Sequence, residues 1–400
     1  MTGRIAGTLV ALSLAACGEK LTAPGDCPGL CPSDNLVVVD TVIEARLDST
    51  YTGFVEAGEG QRLLVSTGAA GGRRIGIARF TRREDSVSVR DTLFPYVVDS
   101  VILGVTVQGR DRAAAGLALE IFQLPATVAV DSTTTFAEVN AALTPTRLIA
   151  TVPLADTLTN GSVRVFLSGA DLARIVFGPA DDNVLRLAYR LTSAQPTGIL
   201  LASSGQGLAG PSFVTWLRVA RPDTTVVRSL PRIVQFDSFV DETPLGTPSP
   251  DVTTVGGSPS SRALLRFDLP PRIRDSSQII RATLQLVPLA PIVALAGDSA
   301  QLDVRGIFSD LGPKSPRIST STSLLLTEEL TPGATDTVFV EVTPIARLWH
   351  AENRPPTAFF LAVGREAGTF TFAQFGSSRS PAGRPTLRIT YVLPYPFEAQ

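Results

Sequence analysis

From residue 36 onward, apolar and polar residues alternate with a period of two, in runs too short for helices and closed by Gly, Pro, Asp or Ser. Gly76-Ile77-Ala78-Arg79-Phe80, Ser162 to Leu167, Ile280 to Leu289 and Thr386 to Val392 are examples. Alternate side chains of a strand leave on opposite faces, so each run offers one face for burial. No ten-residue helical pattern stands between the runs, which removes the crossover a parallel sheet needs. The pattern predicts an all-β chain of antiparallel β-sandwiches.

Length and charge set the scale. Four hundred residues exceed what one core usually serves, so two or three domains are expected. With 44% apolar residues and a formal net charge of -2, the chain can pack but carries no global basic field for phosphate backbones, so no nucleic-acid partner is expected. One His and one Met leave little for a multi-histidine metal site or a serine-histidine triad.

The strand runs form two series that look like copies. Arg79-Phe80 followed by Ser100 to Val105 parallels Arg266-Phe267 followed by Gln278 to Thr283. Ser162 to Leu167 with Leu172 to Val176 parallels Thr337 to Val342 with Ile345 to Trp349, and Gly210 to Val214 parallels Arg384 to Arg388. These downstream matches share an offset of about 173 to 175 residues. The expected domains are 36–220 and 232–394, with a linker at 221–231 and a tail at 395–400.

Within the second copy, Ser261 to Asp268, Ile280 to Leu286, Val340-Glu341-Val342-Thr343-Pro344 with Trp349, and the closing Gly383 to Tyr391 occur in order. Together they resemble the DNRLRE domain family of secreted and cell-wall proteins, over about 160 residues. The first copy is more divergent, lacking the Arg-Pro before its last strand, and Ser378-Arg379-Ser380 lacks the acid usual before the family's closing strand. The resemblance implies a jelly-roll, carbohydrate-module-like sandwich and carries over no catalytic or ligand residue. Locally, Thr343-Pro344 reads as a helix start capped by Thr343.

The first residues have a different character. Arg4 precedes an apolar stretch at 5–17, IAGTLVALSLAAC, too short to cross a bilayer core of about 30 Å as a stable helix. Leu14-Ala15-Ala16-Cys17 resembles the lipobox of bacterial lipoproteins, which implies a signal peptide at 1–16, lipidation of Cys17, and a membrane partner through the lipid anchor. Gly18, where an aspartate retention signal would sit, points to the outer membrane; a plain secretory signal or an uncleaved anchor is the alternative. Residues 17–35 are a Pro- and Gly-broken tether. Its Cys27 and Cys31 are a candidate disulfide.

Candidate sites in the body are sparse. Asp181, Asp182, Asp241 and Glu242 offer oxygens for a structural calcium, the single cofactor considered, against a reading as solvated turn residues. Glu366 reads as a solvated loop acid. Trp349 and Tyr391 are candidate glycan contacts, with core packing the competing role for the tryptophans. No carboxylate pair is singled out for glycoside chemistry. The sequence therefore reads as a noncatalytic, lipid-anchored envelope protein acting in structure, adhesion or matrix binding, with envelope or extracellular polysaccharide or protein as partner. A carbohydrate-binding module is the alternative, and a polysaccharide-acting enzyme stands behind it.

Overall fold

The computed structural model describes residues 37–53, 60–69, 72–175, 182–222, 224–242, 249–298, 300–318, 324–350 and 355–393. The signal peptide, Cys17, Cys27, Cys31 and Asp181 lie outside the described residues.

In chain order the strands begin β1 (Val38–Thr52), β2 (Arg62–Thr67), β3 (Arg73–Phe80), β4 (Ser86–Val89), β5 (Thr92–Pro95), β6 (Val97–Arg110), β7 (Ala118–Gln123) and β8 (Leu148–Pro153). There follow β9 (Gly161–Ser168), β10 (Arg186–Thr192), β11 (Gly198–Ala202), β12 (Ser212–Ala220), β13 (Thr225–Arg232), β14 (Val234–Asp241), β15 (Val252–Gly257) and β16 (Ser260–Phe267). The last are β17 (Gln278–Leu286), β18 (Ala300–Gly306), β19 (Leu326–Leu330), β20 (Val338–Glu341), β21 (Ala358–Val363), β22 (Phe372–Gly376) and β23 (Thr386–Val392).

Two large antiparallel sheets, each curled on itself into a sandwich, hold all but the β4–β5 hairpin, as the alternation predicts. The first runs β13-β12-β6-β11-β2-β3-β10-β7-β8, with β14 also on β3 and β9 also on β6. The second runs β19-β18-β21-β16-β1-β23-β17-β20, with β15 on both β16 and β22. Inward residues form one core per sheet. Leu63, Val65, Phe80, Leu103, Leu187 and Phe213 belong to the first, and Leu265, Phe267, Leu284, Trp349, Phe359 and Leu387 to the second.

The pairing cuts across the expected division of the chain. Although β1 opens the first series, it lies in the second sheet, between β23 and β16. The expected linker is instead largely strand β13, and β14 pairs with β3 of the first sheet. Proline cannot donate to a ladder, and Pro231 is tolerated because β13 is an edge strand. A strand of such composition reads as linker.

Among the described residues three α-helices lie against the sheets. Helix α1 (Phe136–Ala142) opens with a capping box, in which Thr135 accepts from the Glu138 N–H and the Glu138 carboxylate accepts from the Thr135 N–H. Val139 on this helix closes a side core with Ile75, Ile77, Phe122 and Val240. Helices α2 (Pro271–Asp275) and α3 (Thr343–Leu348) flank the second sheet. Thr343 does not cap α3; its hydroxyl accepts from the Ala282 N–H at 2.6 Å and so ties the helix to β17.

The modules meet through a small apolar contact of Leu64, Leu200 and Phe239 with Leu295 and Phe370. Beside it Arg74, 1% exposed, pairs with Asp241 at 2.8 Å and donates to Ser258 Oγ and O at 3.2 and 3.1 Å. Arg62 reaches Asp298 at 3.6 Å, and Thr369 donates to the same carboxylate. Burial raises Asp298 above the usual carboxylate range, against the opposing effect of Thr369 and Arg62.

Candidate functional site

The outward residues of β1, β23, β17 and β20 form a polar face on the second module. Pairing aligns them in cross-strand rows: Asp40, Thr390 and Arg281; Val42, Arg388, Thr283 and Glu341; Glu44, Thr386, Gln285 and Phe339. Arg388 and the Thr390 hydroxyl donate to Asp40 at 2.9 and 2.5 Å, while Arg281 donates to Glu341 at 2.8 Å. The Thr390 hydroxyl first, then the Arg388 guanidinium, hold Asp40 below its ordinary range. Glu341 is also lowered: burial works against this, but Thr343 and Arg281 outweigh it. A shallow cavity of about 550 Å³ opens over this face, lined by Val38, Asp40, Arg281, Gln285, Phe339 and Arg388, among others. Planar amide, guanidinium and carboxylate groups beside an exposed phenyl ring suit a polyhydroxylated ligand, which needs paired hydrogen bonds and an apolar platform.

The matching face of the first module has another chemistry. There β13, β12, β6 and β9 align Pro231, Val214, Ile102 and Phe166 in one row, and Ser229, Trp216, Ser100 and Ser168 in the next. Phe166 is 61% exposed and Trp216 38%. The apolar row stays at the surface because its neighbours along each strand, such as Phe213 and Leu217, already fill the inward positions.

No family model matches the chain, and no curated protein sequence is similar to it. The site must therefore be read from its own residues.

The structure redirects several expected site residues. Trp349 and Tyr391, each 2% exposed, are core residues with no open ring face for a sugar. Trp349 packs on Phe359 with ring centroids 5.2 Å apart, and the Tyr391 hydroxyl accepts from Arg272 at 2.9 Å. Trp216 is the exposed tryptophan, and Phe339 is the exposed aromatic of the second module's face.

The calcium candidates do not converge. Asp182 pairs with Arg186 at 2.7 Å, Asp241 with Arg74, and Glu242 with Arg73 through two nitrogens at 2.6 and 2.9 Å. Asp241 sits opposite Arg74 on β3, whereas Arg186 sits opposite Arg79 at the other end of that strand. Among the described residues no group of three or more His, Cys, Asp or Glu side chains is placed to hold a metal. Glu366 is not a solvated acid, since Arg262 grips it with two bonds of 2.6 and 2.7 Å.

Two aspartates that sequence reasoning passed over are buried and hydrogen-bonded by serines. Asp48 is 4% exposed and accepts from the N–H of Ser378 at 2.9 Å, from the Ser378 hydroxyl, and from Thr253. Asp237 is 7% exposed and accepts from the N–H and hydroxyl of Ser204, both at 2.6 Å. Burial lifts Asp237 above the usual carboxylate range, and the two Ser204 bonds oppose that rise. Leu47-Asp48-Ser49 and Phe236-Asp237-Ser238 share an apolar-Asp-Ser word, but Val98-Asp99-Ser100 and Val130-Asp131-Ser132 carry it too, so the word alone does not single them out.

Among the described residues no helix is long and apolar enough to cross a membrane.

Proposed function

We propose that the chain is a noncatalytic element of a bacterial cell envelope, lipid-anchored through Cys17, that presents two joined β-sandwiches for matrix or surface binding. The polar face of the second module carries this reading: paired guanidinium and carboxylate groups, Gln285 and the exposed Phe339 border an open cavity on the outer side of its sheet. Its groups pair with one another, so a ligand exchanges existing bonds for new ones, and binding is weak and additive over many contacts. The DNRLRE resemblance of the same module supports a cell-surface role.

Carbohydrate is the ligand class this face favours, through Phe339 and the Arg388–Asp40 pair. Affinity electrophoresis of residues 36–400 in gels carrying envelope or plant polysaccharides is the test. Retardation by at least one polysaccharide, reduced in Phe339→Ala and in Arg388→Ala, is the expected result; migration unaffected by every polysaccharide contradicts the carbohydrate reading. The anchor is tested separately. Cys17→Ser moves the full chain from the detergent phase to the aqueous phase, and continued partitioning into detergent would overturn lipidation.

A further inference from the structure

The two sheets have the same strand order only when β1 is matched with the β13–β14 run. Strands β12, β6 and β9 neighbour one another as β23, β17 and β20 do, and β8, β7, β10 and β3 stand as β19, β18, β21 and β16. The remaining slot, between the β12 and β3 of one module or the β23 and β16 of the other, is filled by β13–β14 in the first and by β1 in the second.

The match holds residue by residue. Ala45 faces Phe267 and Leu47 faces Arg266, leaving Arg46 as a bulge; Val234 faces Phe80 and Phe236 faces Arg79, leaving Gln235 as a bulge. Before the bulge, Val42 faces Arg388 as Pro231 faces Val214. One separation of 189 positions relates all of these (42 to 231, 45 to 234, 48 to 237). The buried aspartates obey it too, and the serines they grip, Ser204 and Ser378, are 174 apart, within the offset of the downstream strands. A bulge re-aims a strand, and here it turns each from one layer of its sandwich to the other.

In the chain, each of these strands opens its own repeat: β1 precedes β2 and β3, and β13–β14 precedes β15 and β16. In the fold, each lies in the other repeat's sheet. We infer that residues 38–52 and 225–241 are reciprocal donor strands, and that each module carries a strand-binding slot filled by the opposite repeat. The slot's ligand is an extended peptide with an apolar-Asp-Ser word, held by ladder bonds along both edges and by one carboxylate accepting twice from one serine. The exchange also closes the body on itself, since Val38 pairs with Val392, and so fastens the segment nearest the tether to the module furthest along the chain.

Cysteine pairs in the full-length chain, with Cys17, Cys27 and Cys31 changed to Ser, distinguish the two arrangements. Val42→Cys with Arg388→Cys reports the exchanged strand, and Val42→Cys with Val214→Cys the unexchanged one. Both use surface positions. On mild oxidation the first pair gives a monomer of altered mobility on a nonreducing denaturing gel, lost on reduction, and the second pair gives none. Pro231→Cys with Val214→Cys, against Pro231→Cys with Arg388→Cys, repeats the test from the other strand. Linkage of Val42 to Val214 or of Pro231 to Arg388, linkage only between separate chains, or no linkage in any pair would overturn the inference.

Discussion

The outer faces of the two modules occupy the same positions of one framework and differ in almost every side chain. Where the second module sets Val42, Arg388, Thr283 and Glu341 across its sheet, the first sets Pro231, Val214, Ile102 and Phe166. Inward positions stay apolar in both, and the bulge and the aspartate-serine contact recur. Burial constrains one side of a strand while leaving the other free, so a duplicated sandwich can keep its core and take on a second surface chemistry. One module offers hydrogen-bonding pairs and the other an apolar row, on a single joined body.

The largest effects should come from truncating side chains in the two cores. Trp349 packs on Phe359 in the core of the second module, and Ile175 is a smaller buried residue in the core of the first. Trp349→Ala should cost about 3–5 kcal/mol and Ile175→Ala about 2–4 kcal/mol by chemical denaturation, because the larger ring leaves the larger cavity. A clearly greater loss at Ile175 would contradict this ranking of the two cores.

Next come the aspartates. Asp48→Ala and Asp237→Ala each remove the acceptor of a part-buried serine N–H and hydroxyl, for about 1–3 kcal/mol. Similar losses at both sites would sharpen the equivalence; a neutral result at either would contradict its role. The pH dependence carries a sign. Asp237 is raised in the fold, so its contribution to stability is complete below the unfolded carboxylate value and is lost as pH rises through the folded one. Asp40 is lowered, so its contribution is present above the unfolded value and is lost as pH falls through the folded one. Melting temperature followed across the acid range should therefore shift in opposite senses in Asp237→Asn and Asp40→Asn.

Surface changes should be smallest. Arg388→Ala breaks an exposed pair and should cost about 0–1 kcal/mol, whatever it does to ligand binding. Iodide should quench Trp216 and spare Trp349, so Trp216→Phe removes most of the quenchable fluorescence. Loss of quenching in Trp349→Phe instead would reverse the assignment of exposed and buried rings.

Much of the fold is legible in the sequence because alternation is local: β3, β9, β17 and β23 follow directly from period-two runs. Partner choice is not local. Whether Val38–Thr52 lies beside β3 or β16 depends on contacts hundreds of residues away, and both slots accept the same apolar-Asp-Ser word. The candidate site was less legible. Periodicity says that Tyr391 and Thr390 face opposite sides but not which side is core. Acidic turn residues look alike whether they meet an ion, water or the Arg73 and Arg74 guanidinium groups that engage Glu242 and Asp241.

The central claim, that each module is completed by a strand of the other, is tested most directly by following their unfolding separately. Trp349→Phe leaves Trp216 to report the first module, and Trp216→Phe leaves Trp349 to report the second. In urea, with stabilities normalised by circular dichroism of each variant, the fluorescence and dichroism transitions should coincide in both proteins. A first module that unfolds at its own midpoint while the second remains folded, or the reverse, would contradict the account.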